Sequence, residues 1–143
     1  MSIKQLTMAE IQYSAHELAR NYLDWGEPIP EFSTRYPYAL EQCVFAPFQT
    51  YKGELYKGLI SKASILFYLM IKNHPFQNGN KRVAVTTLLI FLGKNEKWLS
   101  ISPQELYNLA KWVASSPASV KEETVQAIES ILQKTIVDIE AKV

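Results

Sequence analysis

His74, Asn78, Gly79, Asn80, Lys81 and Arg82 fall close together in "IKNHPFQNGNKRVAV", residues 71–85. Apolar runs, "SILFYLM" and "TTLLIFL", flank this stretch on both sides. The set could hold an anion and move a proton. Pro75 disfavours helical backbone at His74, so a helix ending just before it is expected. A new helix then starts near Asn80, and Asn78, Gly79 and Asn80 are residue types that cap helices or take positive φ. The start of that helix presents unpaired backbone N–H groups and the positive end of its dipole, which together form an anion site. Lys81 and Arg82 in its first turn oppose the dipole, at roughly 0.3–1 kcal/mol each when exposed, unless an anion is held there. The arginine fork suits phosphate oxygens, and His74 can take a proton from a hydroxyl near neutral pH.

Each residue also has a plainer reading. Asn78-Gly79-Asn80 could be only a turn and cap, Lys81-Arg82 a solvated first turn, and His74 a hydrogen-bonding loop histidine. His16, which lacks such neighbours, reads as a surface or half-buried structural residue. The conjunction of these features between two apolar helices favours one site over three separate coincidences.

The elements that must carry the loop are legible around it. Capping-box patterns occur at "TMAE" (7–10), "SPQE" (102–105) and "SVKE" (119–122), with Pro103 suited to a first helical position. Ile11, Ala15, Leu18 and Tyr22 mark one face of a helix from Thr7 to about Asp24. "GEPIPEFS", 26–33, is a loop, and a helix from about Tyr36 to Phe45 follows. "APFQTYKGE", 46–54, reads as a small hairpin or extended flap turning at Lys52-Gly53. Residues 55–73 and 80–92 read as buried helices, with Gly93 as the C-cap of the second. The sum is an all-α bundle with one short flap, in a single domain spanning 1–143.

Composition narrows the function. Hydrophobic residues make up 48% and charged residues 20%, as in an ordinary globular chain. A net charge of +1 argues against a nucleic-acid binder. One cysteine and two histidines give no disulfide and no evident structural zinc site. No apolar run approaches the roughly 20 residues that span a bilayer, and the N-terminus has no signal-like apolar core, so a cytoplasmic location is expected.

"HPFQNGNKR" closely resembles the signature of the Fic/Doc family, His-x-Phe-x-(Asp/Glu)-(Gly/Ala)-Asn followed by a basic end that includes Arg. The upstream "ALEQCVFAPFQTYKGELYKGLISKASILFYLMIKNHPF" is similar to the Doc-type, death-on-curing toxin branch; the likeness runs from about residue 39 to 93. The resemblance implies an all-α Fic fold with a short β-hairpin flap. It also implies transfer of AMP or phosphate from ATP to a Ser, Thr or Tyr hydroxyl of a protein, in the Doc branch a translation factor. By position, His74 would be the general base and Phe76 a core anchor. Asn78, Gly79, Asn80, Lys81 and Arg82 would hold the nucleotide phosphates, with Arg82 also acting in catalysis. Phe48, Gln49, Thr50, Tyr51, Lys52 and Gly53 would form the flap that docks the target as an added strand.

The departure is Asn78, where the family usually has the acid that binds Mg²⁺. An amide oxygen lacks that charge, so any Mg²⁺ binding would be weakened. A weakened toxin, altered chemistry, and a nucleotide- or partner-binding relic all stay open. "SVKEET", 119–124, is no clean copy of the family's inhibitory motif, because Thr124 replaces its small turn residue. A small antitoxin acting in trans is therefore expected. No nucleic-acid or membrane partner is expected, and a homo-oligomer stays open.

Overall fold

The computed structural model describes residues 2–23 and 25–139. It is mostly helical, with six helices and one small antiparallel sheet. Helix α1 is composite: an α-turn Met8–Glu10, a π-helical stretch Ile11–His16 and an α-stretch Glu17–Tyr22. Helix α2 is Pro37–Phe45, α3 Gly58–Lys72, α4 Asn80–Lys94, α5 Pro103–Ser115 and α6 Lys121–Thr135. Strand β1 (Lys97–Leu99) pairs with β2 (Ile136–Asp138), Trp98 facing Val137.

Helices α3 and α4 form the centre. From Lys62 to Tyr68 every residue of α3 is buried, as is every residue of α4 from Arg82 to Leu89. These are the two helices whose sequence has no polar face, and α5 and α6 pack on them with one apolar side each. Leu88, Leu92, Leu106, Ile128 and Leu132 are among the fully buried side chains. Full burial of such a side chain contributes roughly 1.5–3 kcal/mol.

Two of the three expected capping boxes form. The Thr7 hydroxyl accepts from the Glu10 N–H at 3.1 Å while the Thr7 N–H donates to Glu10 Oε1 at 2.8 Å; Ser102 and Glu105 do the same. The third does not. Ser119 lies inside a 3₁₀ turn, Ala118–Val120, and α6 starts two residues later, with Val120 as its uncapped N-cap. Gly93 is not a C-cap either: α4 continues to Lys94 and Asn95 is its C-cap, with the Trp98 ring packed beside Gly93.

The inward face of α1 also differs from the expected one. A π-helical turn inserts a residue and advances the phase. After Ala15 the buried positions become His16, Ala19 and Leu23, while Tyr22 turns out to solvent. His16 is thus not a surface or half-buried residue but is 1% exposed. It packs against Phe32 (5.3 Å between ring centroids) and Phe76 (5.2 Å). Its Nε2 has no hydrogen-bond partner among the described residues. Burial lowers its pKa first and the nearby Arg20 charge second, against smaller upward pulls from the Pro30 carbonyl and Glu17.

Segment 46–57 is the expected flap. It opens with a 3₁₀ turn, Ala46–Phe48, and folds back through a single antiparallel bridge between Thr50 and Glu54. Helix α3 begins only at Gly58, so residues 55–57 belong to the flap and not to the helix expected over 55–73. Among the described residues no helix is long and apolar enough to cross a membrane.

Candidate functional site

The loop joining α3 to α4 is built by its own polar side chains. Helix α3 stops at Lys72; His74 follows with φ +48° and is exposed to solvent. Phe76 drops into the core, 2% exposed. Asn80 locks the loop: its Oδ1 accepts from the Phe76 N–H at 2.9 Å and its Nδ2 donates to the Phe76 carbonyl at 2.8 Å. The Pro75 carbonyl accepts from the Tyr36 N–H at 2.9 Å, tying the loop to the start of α2.

Gly79 is the N-cap of α4 in a left-handed conformation (φ +79°, ψ 16°). A Cβ there would stand 2.6 Å from Ile29 Cγ1, so the position has neither the backbone freedom nor the space for a side chain. No side chain caps α4. The N–H groups of its first turn cannot be satisfied within the helix, as at any helix start.

Asn78, Gly79, Lys81 and Arg82 line one cavity of about 130 Å³ at this end of α4, shared with Glu27 and Tyr107. The residues expected to hold phosphate therefore come together, with one qualification. Asn80 is not among the residues that line the cavity, and its side chain is engaged with Phe76. Arg82 is 5% exposed. It donates to the carbonyls of Leu23 (3.3 Å) and Glu27. Asn78 Nδ2 reaches the Pro28 carbonyl at 3.4 Å, and its Oδ1 accepts from the Gly79 N–H at 2.8 Å. Trp25 stacks at 4.8 Å on Tyr107 of α5, and the Arg20 Nε donates to the Ile29 carbonyl at 3.1 Å. Residues 25–30 thus form a strap laid across the start of α4. The cavity left beneath it is below the roughly 300–1,000 Å³ of ordinary ligand pockets.

A second cavity, about 360 Å³, opens between the flap and the end of α3. Gln49 of the flap and Asn73, the neighbour of His74, both line it, with Tyr38, Phe45, Tyr56 and Lys121. Of the expected flap residues, Gln49, Thr50, Tyr51, Lys52 and Gly53 are exposed and Phe48 is half-buried, edge-on to Phe91 at 6.3 Å. Lys52 (φ +54°) and Gly53 (φ +116°) make the tip, the turn read from their sequence.

The donor set does not amount to a Mg²⁺ site. At the position the signature gives to the metal, Asn78 offers a neutral oxygen that already accepts from the Gly79 N–H, where Mg²⁺ prefers a charged one. Cys43 is no nucleophile: burial pushes its thiol up to about 12.

The strap and Lys62 were missed from sequence. "GEPIP" reads only as a loop, and nothing local in it points to Arg82. Lys62 sits in a helix of apolar residues as an apparently stray charge. No curated protein and no solved structure matches the chain. The family model described as Fic/DOC family matches residues 5–92, a span that holds the strap, the flap, the signature loop and most of α4. On that match over more than half of its length, the chain belongs to the Fic/DOC family.

Proposed function

We propose that this protein is a Doc-like toxin of a toxin–antitoxin pair that transfers phosphate or AMP from ATP to a hydroxyl on a protein target, a translation factor. Family membership points to the AMP- or phosphate-transfer type of function. The observation that carries the finer reading is Arg82. It is a buried guanidinium at the start of a helix, next to Lys81, and among the described residues no carboxylate lies within ion-pair distance of it. A buried cation satisfied only by carbonyl dipoles still favours an anion.

In this reading the triphosphate lies along the first turn of α4, with Lys81 and Arg82 on its oxygens. The flap holds the target segment, and His74 takes the proton from its Ser, Thr or Tyr hydroxyl. The hydroxyl oxygen bonds to phosphorus as the bridging P–O bond breaks. Attack at the γ-phosphorus releases ADP, and attack at the α-phosphorus releases pyrophosphate. Binding in the reversed or the ordinary direction decides between them. His74 is exposed, as a base that meets an incoming protein must be. A small antitoxin would inhibit in trans. No step runs through a metal, because the donor set does not fit one.

A second reading has its own support: a weakened module that binds nucleotide or a protein partner. Asn78 lacks the charge of the usual acid, and both ends of its amide are engaged. One experiment separates the two readings. Purified protein is incubated with bacterial lysate and ATP labelled distinguishably on its α- and γ-phosphates, and labelled targets are weighed intact. A mass gain of phosphate or of AMP on a protein confirms transfer. Nucleotide bound without labelled product establishes the module.

A further inference from the structure

We propose that Lys62 is the positioning residue of the flap, holding it in the conformation that docks a protein target; this rests on the docking role given to the flap above. Lys62 lies on α3 and is 4% exposed. An ammonium has three N–H donors, and three neighbours surround this one. Glu54 Oε1 accepts at 2.9 Å, the Tyr56 carbonyl accepts a second bond, and the Phe48 ring centre stands 5.4 Å from the nitrogen. That ring distance is within the range of cation–π attraction.

These partners are the entry, the return and the exit of the flap. Phe48 ends the 3₁₀ turn before it, Glu54 closes its only bridge with Thr50, and Tyr56 leads into α3. One charge thus fixes the flap where it leaves the body and where it rejoins. The flap has little else. Its internal backbone bonds are Gln49 N–H to the Ala46 carbonyl (3.2 Å), Tyr51 N–H to the Gly53 carbonyl (2.7 Å) and Leu55 N–H to the Gln49 carbonyl (3.2 Å). A two-stranded turn this short does not hold its shape in water by itself. Lys62 also sits on the helix that ends at Lys72, two residues before His74, so the helix that bears the clamp of the flap leads directly into the loop of the residue proposed as base.

Glu54 is about half exposed while Lys62 is buried. The carboxylate is thus the outer, releasable half of the pair, and the ammonium is the fixed half. Removing the ammonium takes a contact from all three points together, leaving Phe48 and Tyr56 only their packing on the core, whereas removing the carboxylate charge weakens one.

The test compares Lys62→Met, Lys62→Arg and Glu54→Gln with the natural protein by amide hydrogen exchange, and then by transfer kinetics on the labelled target. Lys62→Met keeps the apolar stem and removes the charge. Exchange at Tyr51 and Leu55 should quicken about tenfold or more, with exchange in α4 unchanged. KM for the protein target should rise about tenfold, with kcat at saturating target and ATP affinity within twofold. Lys62→Arg should recover part of the loss, and Glu54→Gln should fall between. If Lys62→Met does not fold, Glu54→Gln carries the test alone, with about threefold faster flap exchange expected. Unchanged flap exchange overturns the clamp whatever the kinetics show. Faster exchange with an unchanged KM overturns its role in docking. If the natural protein binds ATP but labels no target, the proposed transfer fails and the docking role fails with it, a result distinct from a rigid flap.

Discussion

Lys62 and Arg82 are both buried cations on the two central helices, and each holds a surface segment by its carbonyls. They differ in what balances their charge. Lys62 has a carboxylate at 2.9 Å and an aromatic face, so its corner is electrically complete. Arg82 donates to two carbonyls, and among the described residues no carboxylate lies within ion-pair distance of it, so the partners described for it are dipoles and not charges. The first arrangement is that of a fastener; the second, on the function proposed above, is that of a receptor whose donors a ligand would take over. The two corners together teach that burial of a charge does not by itself reveal its task, whereas the charge on its partners does.

The sharpest test of the proposed chemistry would come from His74, which lies in the loop between the two central helices. His74→Asn tolerates the left-handed backbone and should lower transfer by about 100-fold or more, the usual contribution of a general base. ATP affinity and circular dichroism should stay unchanged, because the side chain is exposed. Retained transfer would move the base elsewhere.

Next in size is a matched pair of substitutions. Arg82→Met should weaken ATP binding by about 10–100-fold, as loss of charge-assisted hydrogen bonds of about 1.5–3 kcal/mol implies. Lys62→Met should leave it within twofold. Equal losses in titration calorimetry would erase the distinction between fastener and receptor.

Asn78→Asp should then make transfer respond to magnesium, raising it about tenfold over the natural protein, since it supplies a charged oxygen at the cavity. Transfer measured with and without chelator checks this, and no gain would show that Asn78 stands outside the metal's reach.

The smallest effect concerns His16, which backs the signature loop through Phe76. Its folded pKa lies below the ordinary 6.5, so the unfolded chain binds the proton more readily. The stability it contributes is present above 6.5 and is lost as pH falls from there towards the folded value, by at most about 1.4 kcal/mol per pH unit. Urea unfolding at pH 7.5 and 5.5 should show that loss in the natural protein and less of it in His16→Phe.

Local signals carried much of the structure. The apolar runs of α3 and α4 predicted the central pair, Pro75 and Gly79 the loop between them, and Lys52-Gly53 the turn of the flap. What failed was long-range. The phase of α1 depends on a π-helical turn that no spacing rule marks, so His16 and Tyr22 exchanged their expected environments. The strands at 97–99 and 136–138 pair across nearly forty residues, and each is three residues long. Ser119 matched a cap pattern but lost to a 3₁₀ turn. In the candidate site, residue types singled out the residues that line one cavity at the start of α4. They could not show that Asn80 turns back on Phe76, or that residues 25–30 come to rest against Arg82, because these contacts depend on how distant segments pack.

The strap gives this corner a particular thermodynamics. Its main-chain oxygens offer the guanidinium much what phosphoryl oxygens offer, so on the proposed function nucleotide entry would be a substitution in which one set of acceptors replaces another. The number of hydrogen bonds then changes little, and what remains to drive the substitution is the ligand's formal negative charge. Affinity for triphosphate should accordingly decline steeply with ionic strength, and a neutral analogue of the same shape should gain no foothold.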